Sequence, residues 1–178
     1  MARYGVQNKR PALDEAALRD LALVYVGRFA TSGARLERYL RRKLKERGWA
    51  EEREPDVAAL AARFTELGYL DDAAYARMKG ATMARRGLGA GRIRGALAAD
   101  GIKEDDRAEA LDEARAGRWE AADALARKKR IGPYAQELAD RVVREKQIAA
   151  FVRAGHDFAT ARAWVEAAPG ESPERSEE

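Results

Sequence analysis

The chain of 178 residues contains no cysteine, a single histidine and few aromatic residues, which make up 7% of the sequence. The absence of cysteine excludes disulfide bonds, a thiol nucleophile and a cysteine-based zinc site, and it suits a reducing compartment. No apolar run approaches the roughly 20 residues that a membrane-spanning helix needs, and residues 1–5 lack the apolar segment of a signal peptide. We therefore expect a cytoplasmic protein without a membrane span.

Catalytic signatures are also absent from the sequence. No nucleophile–base pair, phosphate-binding loop or dinucleotide fingerprint occurs. Residues 87–91 read Gly-Leu-Gly-Ala-Gly, but they follow a helical pattern and lack the Gly-Lys-Ser/Thr ending of a phosphate loop, so we interpret them as a flexible turn between helices. The lone histidine, His156, is expected to pack or cap. The sequence predicts no enzyme, no metal and no cofactor.

The residues that are present are typical of helices. Charged residues make up 36% of the chain, which is rich in alanine, leucine, arginine and glutamate. Apolar residues recur at helical spacing, and no stretch alternates apolar and polar residues as a half-buried strand does. The first two apolar stripes consist of Leu18, Leu21, Tyr25 and Phe29 and of Leu36, Leu40 and Leu44. These patterns predict an all-α fold.

The helical pattern repeats along the chain. Gly48, Gly101 and Gly155 each end a helical stripe and are spaced 53 and 54 residues apart, with Leu44, Leu97 and Phe151 four residues earlier. Such a period predicts tandem three-helix repeats stacked in a row, each covering the apolar face of its neighbour. We place the repeats at 14–71, 72–116 and 117–168, between a flexible basic arm at 1–13 and a disordered acidic tail at 169–178.

The junction between the first two repeats has a clear local signature. The stripe that ends at Leu67 is followed by Gly68, which we expect to end the helix in the left-handed conformation. Asp71 or Asp72 is expected to cap the next helix, because a short carboxylate accepts backbone N–H groups at a helix N-terminus.

Basic residues are segregated from acidic ones, although the net charge is only +4. They suggest a basic strip along the repeats that faces a polyanion or an acidic protein groove. An ordinary solvated arginine-rich face remains the alternative, and arginine pairs equally well with phosphate and carboxylate. The candidate binding residues are Arg35, Arg38, Arg41, Arg42 and Lys45, then Arg85, Arg86, Arg92 and Arg94, then Arg127, Lys128, Lys129 and Arg130.

The middle of the chain carries an ordered set of short motifs: Gly68-Tyr69-Leu70-Asp71-Asp72, Tyr75, Arg86-Gly87-Leu88-Gly89-Ala90-Gly91-Arg92-Ile93 and Gly101-Ile102. This combination resembles the RecX family of modulators of the RecA recombinase, and the resemblance extends over roughly residues 14–168. It implies an elongated, curved, solenoid-like body of three-helix repeats. It further implies a protein that binds RecA and its filament on DNA and inhibits the recombinase, ATPase and co-protease activities used in DNA repair and the SOS response. We expect the chain to be a monomer. The family supplies no catalytic residues and no contact motif, so the candidate site residues rest on charge.

Two other functions stay open. The same arginines would serve a non-specific DNA-binding module that acts through phosphate contacts, with Tyr39 or Tyr75 available to stack on bases. A scaffold that joins proteins through exposed apolar patches is the third possibility.

Overall fold

The structure, a computed structural model, describes residues 11–173. Within that range the protein is all-α, with nine α-helices, one short 3-10 helix at Gly132–Tyr134 and no strand, and this confirms the predicted fold class. Residues 1–10 of the predicted arm and residues 174–178 of the predicted tail lie outside the described residues. The helices are α1 (Glu15–Arg28), α2 (Gly33–Arg47), α3 (Val57–Glu66), α4 (Asp72–Arg85), α5 (Ala90–Ala99), α6 (Glu104–Ala116), α7 (Arg118–Lys129), α8 (Arg141–Arg153) and α9 (Phe158–Glu166).

The chain divides between Asp72 and Ala73 into two compact units. The first contains α1–α3 around one apolar core, whose largest members are Leu36, Leu40 and Phe64. The second contains α4–α9 around two cores, one centred on Ile93 and Leu97 and the other on Phe151 and Trp164. Each group of three consecutive helices therefore buries its own cluster of side chains.

The helix starts of the first unit follow from short polar side chains. Asp14 accepts a hydrogen bond from the backbone N–H of Ala17 (2.8 Å), and Asp56 accepts one from that of Ala59 (2.9 Å). Both are N-caps, which satisfy amide groups that the helix itself leaves without partners. Leu13, which we assigned to the arm, is fully buried. Its N–H donates to Gly48 (3.0 Å) and its carbonyl accepts from Ala50 (2.9 Å), so ordered packing begins before residue 14.

Two of the three repeated glycines end their helices in one shared geometry. Gly101 and Gly155 have φ of 80° and 94°, and in both turns the next residue donates its N–H five residues back: Ile102 to Leu97 (3.1 Å) and His156 to Phe151 (3.2 Å). This is the Schellman motif, in which a left-handed residue follows the helix and an apolar contact closes the turn. Gly48 instead ends α2 as its C-cap, with φ of 83° and ψ of 175° and its N–H donated to the carbonyl of Leu44 (2.8 Å), so the sequence period marks helix ends but not one common motif.

Gly68 ends α3 in the same way, as predicted. Its φ is 76°, and the N–H of Tyr69 donates to the carbonyl of Phe64 (2.9 Å). The rings of Phe64 and Tyr69 lie 5.4 Å apart and provide the apolar contact of the turn.

The least regular apolar stripe belongs to α8. This helix begins at Arg141, where Asp140 caps it by accepting the N–H of Val143 (2.8 Å). Val142, Val143 and Val152 remain exposed on its surface. Only Phe151 is fully buried, which explains why the periodicity of this segment is weak.

Candidate partner-binding surface

The outward face of α2 presents the basic residues predicted in the first unit. Leu36 and Leu40 point into the core and are fully buried. The opposite side of the helix exposes Arg38, Arg41, Arg42 and Lys45, whereas Arg35 is half-buried. The helical periodicity thus separates core and charge as expected.

Ion pairs occupy part of this α2 surface. Arg41 pairs with Glu37 (2.6 Å) and Arg42 with Glu46 (3.5 Å), both one helical turn away. Exposed pairs of this kind contribute only about 0.3–0.5 kcal/mol, so a partner can displace them. Arg38 and Lys45 make no ion pair with any described residue.

The aromatic residues near the charges are not open for base stacking. Tyr39 stacks on Tyr25 with ring centroids 4.2 Å apart, and the guanidinium of Arg42 lies 5.6 Å from the Tyr39 centroid. Tyr75 is buried and donates its hydroxyl hydrogen bond to Asp100 (2.6 Å). The expectation that Tyr75 could stack on a base is therefore wrong, because the ring belongs to the core of the second unit.

In the second unit, the predicted residues of the middle repeat lie at two helix ends. Arg85 is the last residue of α4 and Arg86 follows it, whereas Arg92 and Arg94 lie in the first turns of α5; all four are exposed. Arg85 donates to the hydroxyl of Thr82 (3.1 Å). None of the four forms an ion pair with another residue in the range 11–173.

The basic cluster Arg127–Arg130 lies at the end of α7. Its residues differ in whether they have side-chain partners among the described residues. Arg127 donates to the hydroxyl of Tyr134 (3.1 Å) and lies 3.4 Å from Asp123. The hydrogen bond to Tyr134, with the charge of Asp123, raises the pKa of Arg127 above its ordinary value. Lys128, Lys129 and Arg130 are exposed at the negative end of the helix dipole, where cations are favoured.

The turn between α4 and α5 is not the flexible segment that we expected. A Cβ on Gly87 would lie 2.8 Å from the backbone nitrogen of Leu125 in α7, and Gly89 donates its N–H to the carbonyl of Ala154 (2.9 Å). The glycines allow close backbone packing, so the turn is held against two other elements. The N–H groups of Gly87, Leu88, Gly89 and Gly91 donate to carbonyls of this chain, so they are not free to bind a phosphate.

Sequence reasoning missed two features of this region. Arg153 is exposed at the end of α8, directly before Ala154, but the equivalent positions of the other two repeats carry no basic residue. The packing role of Gly89 and Gly155 was also missed, although their presence in the sequence was noted. A glycine-rich turn can be mobile or can allow two backbones to pack closely, and only the tertiary contacts distinguish these two roles.

Residues 11–173 hold no cluster of three or more histidine or carboxylate side chains that could bind a metal ion. None of the helices in that range is both long and apolar enough to cross a lipid bilayer. The second unit does contain a buried carboxylate, Asp100, but Tyr75 and Lys79 both bind it.

Fold and surface together define an all-α protein of consecutive three-helix groups with exposed basic residues. The family profile described as "RecX, second three-helix domain" matches residues 71–111, which include α4 and α5. Regulatory protein RecX of Myxococcus xanthus (strain DK1622) is 31% identical over 177 residues, covering 90% of this chain and 91% of that protein. The chain belongs to the RecX family.

Solved structures agree with this assignment. A crystal structure of regulatory protein RecX superposes with a TM-score of 0.64 at 26% identity, covering 82% of this chain and 68% of the other. RecX from Lactobacillus salivarius also has a TM-score of 0.64, at 20% identity, covering 82% of this chain and 90% of the other. The second likeness concerns the fold alone.

Proposed function

We propose that this protein binds RecA and the RecA filament on DNA and inhibits its recombinase, ATPase and co-protease activities, thereby restraining DNA repair and the SOS response. The observation that carries the proposal is the identity of 31% with a regulatory protein RecX over nine-tenths of the chain. The proposal places the protein in the cytoplasm, where it acts as a monomer.

The surface chemistry supports a filament as the partner. Exposed basic side chains occur on α2, at the α4–α5 turn and at the end of α7, and several of them lack ion pairs with described residues. Each exposed charge contact is weak by itself, on the order of 1 kcal/mol or less. A filament presents the same surface periodically, so several weak contacts made by one chain add up through effective concentration.

The test is RecA ATPase activity measured with DNA in saturating excess. A filament binder should inhibit at concentrations far below that of the free DNA, because its target is the filament. A protein that only coats DNA should no longer inhibit the ATPase, because the excess DNA binds it away from the filament. Absence of inhibition under saturating DNA would contradict the proposal and favour the DNA-binding alternative.

A binding measurement completes the design. Fluorescence anisotropy of labelled single-stranded DNA, alone and after assembly with RecA and a slowly hydrolysed nucleotide, separates the two partners. We expect tighter binding to the filament than to bare DNA, and weakening of both with added salt, since exposed charges are screened over a Debye length of about 8 Å at physiological ionic strength. Equal affinity for both would point to phosphate contacts alone.

A further inference from the structure

Two turns of the second unit are joined by their backbones. The N–H of Gly89 donates to the carbonyl of Ala154 (2.9 Å), and the N–H of Gly91 donates to the carbonyl of Gly155 (3.0 Å). Gly89 is the N-cap of α5 and has no side chain to accept a hydrogen bond. The carbonyls at the end of α8 therefore satisfy the first amides of α5, and the negative end of one helix dipole meets the positive end of the other.

This contact requires glycine on both sides. A Cβ on Gly89 would lie 2.4 Å from the carbonyl oxygen of Gly155, and a Cβ on Gly155 would lie 2.2 Å from the backbone nitrogen of Arg92. Both distances are far inside van der Waals contact with backbone atoms that cannot rotate away. Gly95, in the same helix α5, has no atom within 4 Å of its Cβ position. The requirement for glycine is thus specific to the turn.

His156 adds a side-chain contact to the same junction, with the carbonyl of Gly87. Its imidazole is buried, and Nε2 lies 3.0 Å from the carbonyl oxygen of Gly87, at the end of α4. A carbonyl only accepts hydrogen bonds, so Nε2 carries the proton and donates. The ring of Phe151 lies 5.4 Å away and packs the imidazole against α8. The equivalent positions of the other repeats, Trp49 and Ile102, lack such a donor to a main-chain carbonyl of another repeat.

We name these contacts the glycine lock: Gly87, Gly89, Gly91, Ala154, Gly155 and His156. We propose that the glycine lock makes α4–α9 one rigid partner-binding body and sets the positions of Arg86 and Arg92, which flank it, against the RecA filament. Arg86 directly precedes Gly87, and Arg92 directly follows Gly91. Fixed spacing between contacts strengthens binding to a periodic filament, because a preorganised surface loses less conformational freedom on binding. The inference rests on the proposed function for its partner.

The absence of cysteine makes the rigidity directly measurable. Ala98 in α5 and Lys146 in α8 are exposed, so A98C and K146C accept spin labels for pulsed electron paramagnetic resonance. We expect a narrow distance distribution in this background and in its G95A variant. We expect a broadened or shifted distribution in G89A, whose added methyl group separates the two turns. RecA inhibition should weaken several-fold in G89A and stay unchanged in G95A.

A second pair of variants covers the case in which G89A does not fold. H156I copies the residue of the preceding repeat, keeps an apolar side chain in the pocket and removes the donor. H156Q retains an uncharged donor. Because one hydrogen bond contributes about 1 kcal/mol, hydrogen exchange at the amides of Gly89 and Gly91 should be about five-fold faster in H156I. H156Q should restore protection at least in part, and RecA inhibition should follow the same order.

The outcomes separate this inference from the proposed function. If the unmodified protein does not inhibit RecA, the proposed function fails, while the distance and exchange data still test the lock. If G89A or H156I loosens the junction but inhibits at unmodified potency, the lock has no part in positioning the arginines. Unchanged distances in a folded G89A, with unchanged exchange in H156I, would show that the junction is held by other contacts.

Discussion

The hydroxyl of Tyr75 donates a hydrogen bond to the carboxylate of Asp100, 2.6 Å away in the core of the second unit. Asp100 follows α5 at the negative end of its dipole, a position unfavourable for a carboxylate. Tyr75 and Lys79 compensate by binding it from α4. The aromatic residue of the family-like motif thus joins α4 to the end of α5.

Replacing Tyr75 by Phe should destabilise the protein by about 1.5–3 kcal/mol, since a hydrogen bond to a buried charged acceptor is lost while the ring still packs. Urea denaturation followed by circular dichroism measures this change. Y69F is the matched control, because Tyr69 is 53% exposed, and it should shift stability by less than about 0.5 kcal/mol. Equal effects of the two substitutions would mean that the Asp100 contact does not stabilise the core.

The conformation of Gly68 predicts the effect of adding a side chain there. Its φ is 76°, and its Cβ position is free of other atoms within 4 Å, so the cost of G68V is conformational rather than steric. We expect a loss of about 1–2 kcal/mol in the free energy of unfolding, the usual cost of the left-handed conformation for residues other than glycine.

Gly95, which lies inside α5, contrasts with Gly68 in its backbone conformation. With no positive φ and no neighbour near its Cβ position, G95A should stabilise the protein by about 1 kcal/mol, because alanine is the better helix former. Thermal denaturation of both variants beside the unmodified protein measures the two shifts. A stabilising G68V would contradict the assigned turn.

The basic face of α2 can be removed without touching the core. Changing Arg38, Arg41, Arg42 and Lys45 to Ala leaves Leu36 and Leu40 in place, so the helical signal and the melting temperature should stay nearly unchanged. RecA inhibition should fall by roughly ten-fold or more, as expected when several charge contacts are lost together.

The matched control removes the same charge from elsewhere in the first unit. Arg19, Arg28, Arg53 and Arg63 are exposed outside α2, and their replacement by Ala lowers the net charge equally. This variant should inhibit RecA almost as well as the unmodified protein. Equal losses in both variants would assign the effect to overall charge, and no loss in either would make the α2 face ordinary solvated surface.

His156 should make stability depend on pH. Burial lowers the pKa of His156 below its ordinary value of 6.5, and this outweighs the opposing effects of the Gly87 carbonyl and Asp157. Protonation would also place a proton on Nδ1, which has no partner among the described residues. The folded state therefore favours the neutral ring, so its contribution to stability is present above pH 6.5 and is lost as pH falls from there towards the lowered pKa.

Melting temperatures measured from pH 8 to pH 5 test this dependence. H156Q keeps a donor but does not titrate, so its deficit relative to the unmodified protein should shrink as the pH falls. Carboxylates titrate in both proteins and cancel in the difference. A deficit that stays constant across this range would show that folding leaves the pKa of His156 at its ordinary value.

Much of the fold was determined by local sequence. The caps at Asp14 and Asp56 act on amides three residues away, and the Gly68 turn is completed within five residues. Helical spacing likewise placed Leu36 and Leu40 in the core and the arginines of α2 outside it. These features were predictable because the interacting groups lie within one or two helical turns of each other.

Only the tertiary structure decided the contacts between residues that are distant in the chain. His156 reaches Gly87 across 69 positions, and Leu13 pairs its backbone beside Trp49. The same distance explains why the 87–91 turn was taken as flexible and Tyr75 as accessible. Glycine permits both mobility and close approach, and a tyrosine suits both surface and core, so these residue types alone do not fix their tertiary contacts. The sequence determined which helices form. Which of them touch was decided by the packing of helix ends, where backbone atoms meet with no side chain between them.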